Sequence, residues 1–284
     1  MLVPTPLGNI GDMTMRALAA LRAADLVLCE DTRVTARLLA ALGIIGRPLA
    51  PLHEHNEDAR IAEVLERLRR GQRVALASDA GTPLISDPGF RLVRAAIAAE
   101  LPVAALPGPN AAVLALVLSG LPPLPFLALG FPPPRAAARL TAFARLRAAE
   151  RAGLTATLIW YEAPHRAAET LADLAAIFGD RPAAMARELT KRFEEVRRGP
   201  LPALAASCAA VPPRGEVTLL LGPAPQQPAT DAAALDAALR AALAGHSVKD
   251  AVAMVSAATG IARREVYARA LALQGEKPSR AAPA

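Results

Sequence analysis

Short apolar runs alternate with helical stretches along the first half of this chain. The runs Leu26–Cys29 and Val74–Ala77 have the length of buried strands, and the stretches after them repeat apolar residues at helical spacing. A further run at residues 103–106 predicts another strand of the same series. Strands that alternate with helices indicate a parallel sheet with right-handed connections, whose loops gather at one edge.

The alternation is interrupted at residues 118–125, where one glycine and three prolines indicate a domain boundary. Strands and helices alternate again beyond it, up to an apolar strand at Val217–Leu221. From residue 231 the apolar residues follow helical spacing alone. The pattern predicts an α/β fold of two α/β domains and a small C-terminal all-helical unit, with the bounds 1–118, 119–228 and 229–284.

Polar residues and glycines predict where several helices start and stop. Asp12 precedes an Ala/Leu-rich stretch and is a good N-cap residue. In the C-terminal unit, Ser247 is expected to cap a helix that Gly260 ends. Two short helices across a glycine-containing turn, followed by a helix with several arginines, are typical of a helix-turn-helix. The alternative is a helical cap that only packs on the second domain.

Composition limits the class of protein. With 53% hydrophobic and 3% aromatic residues among 284, the chain is globular rather than disordered. Its two cysteines give neither a disulfide framework nor metal-ligand spacing, which predicts a reduced, cytoplasmic protein. No apolar run reaches the roughly 18 residues of a membrane span, and no basic N-terminal region indicates secretion. We therefore expect neither membrane insertion nor export.

The net charge of +6 comes from the second half of the chain. Residues 1–131 carry 12 basic and 12 acidic residues, whereas residues 132–198 carry 12 and 8, and the chain from residue 231 carries 7 and 5. This distribution favours a polyanionic partner held by the second half. An ordinary basic protein with solvated arginines would have the same charge.

Loops rich in glycine and proline follow the predicted strands. The loop at residues 78–89, SDAGTPLISDPG, has two glycines and two prolines, which exclude a helix or an interior strand. Loops at the carboxyl ends of strands in α/β sheets bind ligands, so we interpret it as one wall of a small-molecule site. A plain strand-to-helix connection would look the same. None of the loops matches the glycine-rich motifs for NAD or ATP.

Polar clusters accompany these loops. EDTR at residues 30–33 follows a strand, and LHEHNE at residues 52–57 contains two histidines. His53 and His55 are two positions apart, which matches no zinc spacing. We therefore favour a polar loop that faces the substrate, and expect no metal.

Seven motifs occur in order along almost the whole chain: PTPLGNIGD, EDTR, HEHN, SDAGTPLISDPG, PGPN, YEAPHR and RELTK. In this combination the chain resembles the bacterial 16S rRNA (cytidine-2′-O)-ribose methyltransferases of the tetrapyrrole methylase superfamily. The resemblance implies two α/β domains that form a cleft for S-adenosyl-L-methionine, usually in a homodimer. The implied substrate is a decoding-centre cytidine in the 16S rRNA of the small ribosomal subunit.

Motif positions imply a set of cofactor contacts, although Tyr161 could equally be a core aromatic residue. These are Pro6, Asp79, Ala80, Gly81, Ile85, Asn110, Ala111, Tyr161, Glu162, Leu189 and Gly215. A ribose 2′-hydroxyl is a poor acid, so a positioned base, or a cation near the developing oxyanion, would add about 10²- to 10⁴-fold. The candidates, some of them expected to be ordinary ion pairs, are Glu30, Asp31, Arg33, His55, Arg187, Glu188 and Lys191.

Two other functions stay open. A small-molecule methyltransferase of the same superfamily, acting on a tetrapyrrole, would explain the cofactor loops but not EDTR, HEHN or RELTK. A non-catalytic RNA-binding protein would explain only the charge.

Overall fold

A four-stranded parallel sheet begins the structure, a computed structural model that describes residues 1–53, 56–225 and 232–275. Its strands are β1 (Leu2–Val3), β2 (Leu26–Cys29), β3 (Leu49–Pro51) and β4 (Val74–Ala77). They stand in the order β1-β4-β2-β3, and every pair is parallel. The predicted parallel sheet is therefore confirmed. All four residues of β2 and of β4 are buried, which explains why these strands are continuous apolar runs.

Five helices connect and follow these strands. They are α1 (Met15–Ala23), α2 (Thr32–Ala41), α3 (Glu57–Arg69), α4 (Phe90–Ala98) and α5 (Ala111–Ser119). The prediction that Asp12 caps α1 is wrong, because Asp12 ends a 3₁₀ helix, Ile10–Asp12. Thr14 caps α1 instead, and its hydroxyl oxygen accepts a hydrogen bond from the backbone N–H of Ala17 at 3.1 Å.

Two features of the first sheet differ from the sequence prediction. Residues 103–106 form no strand, because β1 is only two residues long and Leu2 makes a single isolated bridge with Ala105. β3 was not predicted. It is a three-residue edge strand that ends in Pro51, and proline is tolerated in a sheet at such an edge.

A second sheet of five strands follows residue 125. Its strands are β5 (Phe126–Ala128), β6 (Thr157–Glu162), β7 (Pro182–Arg187), β8 (Glu195–Pro200) and β9 (Val217–Leu221). The order is β5-β6-β9-β7-β8, with only the β5–β6 pair parallel. The sequence EVRRGP of β8 was not predicted as a strand, because an edge strand with polar residues lacks the apolar signal.

Helices cover both faces of the second sheet. On one face lie α6 (Ala136–Arg151), α7 (Ala167–Phe178) and α8 (Leu201–Ala210), which pack around Phe143 and Trp160 with ring centroids 5.5 Å apart. The other face packs against α5, whose Leu116 shares a core with Leu220 of β9. Helix α5 ends at the predicted domain boundary near residue 118, yet it packs on the second sheet, which follows that boundary.

The chain divides into two compact units, Met1–Ala224 and Pro225–Ala284. Both sheets belong to the first unit, so a further division at residue 118 stays a prediction. No helix in the described parts of the chain has the length and apolar character that a membrane span requires.

The second unit consists of α9 (Ala232–Leu243), α10 (Val248–Thr259) and α11 (Arg263–Gly275). They pack around Leu239, Val255 and Val266. The predicted helix ends are confirmed: the Ser247 hydroxyl accepts a hydrogen bond from the Asp250 N–H, and Gly260 ends α10 with a φ of +73°.

Candidate active site

A cavity of about 380 Å³, here called the cleft cavity, lies between loops of the two sheets. Loop 78–89, which follows β4, forms one wall, and the start of α5 forms another. The second sheet contributes the end of β6, the residues that lead into β9, and Phe131. Nine of the eleven predicted cofactor contacts line it: Asp79, Ala80, Gly81, Ile85, Asn110, Ala111, Tyr161, Glu162 and Gly215.

Pro6 and Leu189 do not line the cleft cavity. Leu189 is 6% exposed and packs in the core beneath α5. Pro6 is buried, and the next residue, Leu7, lines the cavity instead. Motif position alone does not distinguish a side chain that contacts a ligand from one that supports the loop.

Loop 78–89 is held in shape by the PTPLGN segment. Thr5 and Gly81 exchange two backbone hydrogen bonds, of 2.9 and 3.0 Å, and the Thr5 hydroxyl donates to the Ser78 carbonyl at 2.9 Å. Gly81 has a φ of +83°, and a Cβ there would lie 3.2 Å from Leu7, so glycine fits best. Leu84 also has a positive φ, a strained conformation that is common in functional loops.

Two carboxylates of this loop face the cleft cavity. Asp79 accepts a hydrogen bond from the backbone N–H of Asp31 at 3.2 Å, and Asp87 accepts one from the Ser78 hydroxyl. Burial raises the pKa of Asp79, and the neighbouring charge of Asp31 adds to this. Burial also raises the pKa of Asp87. Neither carboxylate forms an ion pair with a cation of the described residues, so the site favours a positively charged ligand.

The EDTR segment lies behind this loop. Arg33 donates two side-chain hydrogen bonds to Asp31 and holds the pKa of that carboxyl well below its usual range. The Arg33 side chain is itself 85% exposed. Glu30 lines a small hollow that also touches Asp79. The candidate base His55 lies outside the described residues.

An aromatic pair forms the wall from the second sheet. Phe131 and Tyr161 have ring centroids 5.7 Å apart. Glu162 is buried, and its carboxylate accepts hydrogen bonds from the Thr170 hydroxyl at 2.6 Å and from Arg166 at 3.2 Å. Arg166 also donates to two proline carbonyls in the loop that follows Phe131. Through Arg166, Glu162 thus fixes the loop that carries Phe131. The negative charge of Glu162 is paired with Arg166.

The remaining catalytic candidates stand in ion pairs beside the cleft cavity rather than in it. Glu188 accepts from the Lys191 ammonium at 3.0 Å and from the Glu216 N–H at 3.1 Å, and Glu216 pairs with Lys191 at 3.2 Å. Arg187 pairs with Glu195 at 2.5 Å. The sequence analysis expected ion pairs among the candidates, and Arg187, Glu188 and Lys191 each form one.

Lys191, in the segment after β7, also packs against the PTPLGN segment after β1. A Cβ at Gly8 would lie 2.2 Å from Cγ of Lys191, so the PTPLGN segment and the stem of Lys191 touch closely. The neighbouring Asn9 N–H donates to the Thr190 hydroxyl at 3.2 Å. The contact requires glycine at position 8.

Some residues that line the cleft cavity were missed by the sequence analysis. Among them are Leu7, Asp87, Phe131, Glu216 and Thr218. Asp87 lies within the SDAGTPLISDPG motif and could have been included on that ground. Phe131 lies three residues after the end of β5, in the sequence GFPPP, and this strand-to-loop junction is rich in glycine and proline like loop 78–89.

Two family models match the chain. Residues 1–205 match the family described as Tetrapyrrole (Corrin/Porphyrin) Methylases, and residues 229–274 match the RsmI C-terminal HTH domain. The predicted helix-turn-helix character of the C-terminal unit agrees with the second match.

Several curated relatives carry the name Ribosomal RNA small subunit methyltransferase I. The relative from Micromonospora olivasterospora is 47% identical over 269 residues, which cover 94% of this chain and 84% of that protein. The relative from Pseudomonas aeruginosa is 43% identical over 279 residues, which cover 96% of this chain and 97% of that protein.

Solved structures share the fold at lower identity. A diphthine synthase superposes with a TM-score of 0.60 at 17% identity, over 78% of this chain and 88% of that one. The methyltransferase CobJ superposes with a TM-score of 0.57 at 22% identity, over 77% and 91%. The chain therefore belongs to the tetrapyrrole methylase family, together with the relatives named ribosomal RNA small subunit methyltransferase I.

Proposed function

We propose that this protein is an S-adenosyl-L-methionine-dependent methyltransferase that methylates the ribose 2′-hydroxyl of a decoding-centre cytidine in 16S rRNA of the small ribosomal subunit. The observation that carries the proposal is the cleft cavity. It combines loops rich in glycine and proline with the aromatic pair Phe131 and Tyr161. It also contains two carboxylates, Asp79 and Asp87, that have no cationic partner among the described residues.

The residues of the cleft cavity fit this cofactor. S-adenosyl-L-methionine supplies a methyl group that its positively charged sulfonium has already activated. Asp79 and Asp87 would hold the positive charges of the cofactor, since a cation beside them would offset the burial that raises their pKa values. Phe131 and Tyr161 offer ring faces for the adenine, and the glycine at position 81 lets the loop backbone approach the cofactor closely.

The main task of the protein is then to align the ribose hydroxyl with the methyl group and to exclude water, which supplies effective molarity.

Asp31 is a poor candidate for the base, because Arg33 holds its pKa well below the usual range. We assign Arg33 to phosphate contact instead, since its side chain is 85% exposed. Glu188 and Lys191 would position the Gly215 segment that lines the cleft cavity.

The substrate assignment follows the relatives. Those that are 43–47% identical and cover both units are named for ribosomal RNA of the small subunit. The structures with other titles are only 17–22% identical, so they support the fold and no substrate. A tetrapyrrole substrate would also leave the second unit unexplained. We further propose, on the family resemblance, that the protein acts in the cytoplasm as a homodimer.

Incubation with radiolabelled S-adenosyl-L-methionine tests the function directly. Small ribosomal subunits from cells that lack this chain, and a porphyrinoid, are offered in parallel. We expect label in 16S rRNA, resistant to alkaline hydrolysis at one cytidine, and none in the porphyrinoid. Label in the porphyrinoid alone would favour a small-molecule enzyme, and label in neither would favour a binding protein.

Truncation after Pro228 is expected to spare the cofactor site and weaken RNA binding. All residues of the cleft cavity lie in the first unit, whereas the second unit carries the exposed Arg263 and Arg264. Removing phosphate contacts lowers both RNA affinity and its dependence on salt. Calorimetry should give unchanged cofactor affinity, and filter binding of small subunits over a salt series should give a shallower slope. Methylation as fast as that of the full chain at limiting substrate would make the second unit purely structural.

A further inference from the structure

A second cavity, of about 590 Å³, adjoins the cleft cavity, and Gly215 lines both. We call it the arginine cavity, because Arg187, Arg197 and Arg214 line it. Phe193 lines it as well, and Val211 lies on its rim after α8. None of these side chains lines the cleft cavity, so the two cavities are separate sites that share a wall.

The charge of the arginine cavity favours an anion. Its single lining carboxylate, Glu188, is already bonded to Lys191 and to the Glu216 N–H. The Arg197 guanidinium donates hydrogen bonds to the Glu195 carboxylate and to the Val211 carbonyl within the protein. Arg214 is exposed and makes no ion pair with any described residue.

Arg187 gives the cavity a second guanidinium. Its Nε donates to Glu195, and its terminal amino groups make no hydrogen bond within the described residues. Two guanidinium groups with unused donors in one cavity are a suitable arrangement for a phosphate.

Phe193 adds a surface for a nucleobase. Its side chain is 63% exposed, and the Arg192 guanidinium lies 5.5 Å from the ring centroid. An exposed aromatic ring with flanking arginines is the usual platform on which bases of single-stranded nucleic acid stack. Isolated exposed phenylalanines are common, but this one lines a basic cavity next to the cleft cavity.

We propose that the arginine cavity binds a nucleotide that adjoins the target cytidine, with its phosphate on Arg214 and Arg187 and its base stacked on Phe193. The proposal rests on the proposed function. The wall shared at Gly215 places a nucleotide in the arginine cavity beside the cofactor, where the ribose of the neighbouring target nucleotide has to reach the methyl group. Stacking there would hold the strand unpaired and expose one ribose to the cleft cavity.

The chain offers a matched control. Phe90 is 59% exposed and has Arg94 5.7 Å from its ring centroid, yet neither residue lines the arginine cavity or the cleft cavity. The variants Phe193→Ala and Arg214→Ala are therefore compared with Phe90→Ala and Arg94→Ala. Phe193→Trp keeps a stacking surface and serves as the rescue.

Binding of a short single-stranded oligoribonucleotide is measured by fluorescence anisotropy over a salt series. Phe193→Ala should lower affinity about 5- to 150-fold, and Phe193→Trp should restore it. Arg214→Ala should also reduce the magnitude of the salt slope by about 0.7, the value for one lost phosphate contact on a single strand. Both should lower kcat/KM for small subunits while calorimetry gives unchanged affinity for S-adenosyl-L-methionine.

Equal effects in the Phe90 and Phe193 variants, or an unchanged salt slope in Arg214→Ala, would overturn the proposal. Loss of cofactor affinity in either variant would also overturn it, because the arginine cavity would then belong to the cofactor site. If wild-type protein methylates no small subunits, the proposed function fails, and the oligoribonucleotide measurements still decide whether this cavity binds RNA.

Discussion

Replacement of Asp79 with arginine is expected to abolish binding of S-adenosyl-L-methionine. Asp79 is one of the two carboxylates of loop 78–89 that line the cleft cavity, and it makes no ion pair within the described residues. The substitution puts a cation where the cofactor carries its own positive charge, and it fills part of a cavity of about 380 Å³. We expect no heat of binding in calorimetry at cofactor concentrations that saturate the wild-type protein.

Two further variants separate charge from damage to the fold. Asp79→Asn keeps the size of the side chain and its acceptor for the Asp31 N–H, so it should fold normally and bind the cofactor more weakly than wild type. Asp180→Arg makes the same charge change at an exposed position before β7 and should bind normally. Unchanged affinity in Asp79→Arg would remove loop 78–89 from the cofactor site.

Replacement of Glu150 with alanine is expected to destabilise the first unit by about 3–5 kcal/mol, because it leaves a buried charge without its partner. Glu150 and Arg181 have side chains that are each 1% exposed, and one guanidinium nitrogen lies 2.9 Å from both carboxylate oxygens. The Gly222 carbonyl and the ring of Phe178, 5.3 Å away, would be left as contacts of Arg181.

Urea unfolding followed by the fluorescence of Trp160 measures this effect. Trp160 is the single tryptophan of the chain and is buried in the second sheet, so it reports on the first unit. Glu66→Ala removes the exposed pair between Glu66 of α3 and Arg70, the residue after that helix, and should cost about 0.5 kcal/mol or less. A loss below about 1 kcal/mol in Glu150→Ala would contradict the assigned role of the buried pair.

The buried central strands could be predicted from the sequence, and the edge strands β3 and β8 could not. β2, β4 and β9 are buried along their whole length, and all their residues except Thr218 are apolar. β3 and β8 are edge strands, where one side of the backbone has no neighbouring strand and many side chains are only partly buried or exposed. Their sequences are short or polar and therefore carry little signal for a strand.

The loops that line the cleft cavity could be predicted because glycine permits, and proline fixes, backbone conformations that helices and strands exclude. Roles that depend on distant partners were not visible. Glu162 lines the cleft cavity, but its carboxylate is bound within the protein by Arg166 and Thr170. The arginine cavity likewise brings together residues from separate segments: the end of β7, residues 193–197, and residues 210–215. No local sequence pattern connects these segments.

The position of β9 has a consequence for how the newly made protein matures. β9 is the last strand of the first unit in the chain but stands in the middle of the second sheet, between β6 and β7. As the chain leaves the ribosome from its N-terminus, β5–β6 and β7–β8 can pair early, but both lack their central neighbour until Val217–Leu221 emerges. The residues just before β9 also complete the cleft cavity. A nascent chain stalled earlier would therefore expose two unpaired strand edges and would be open to aggregation.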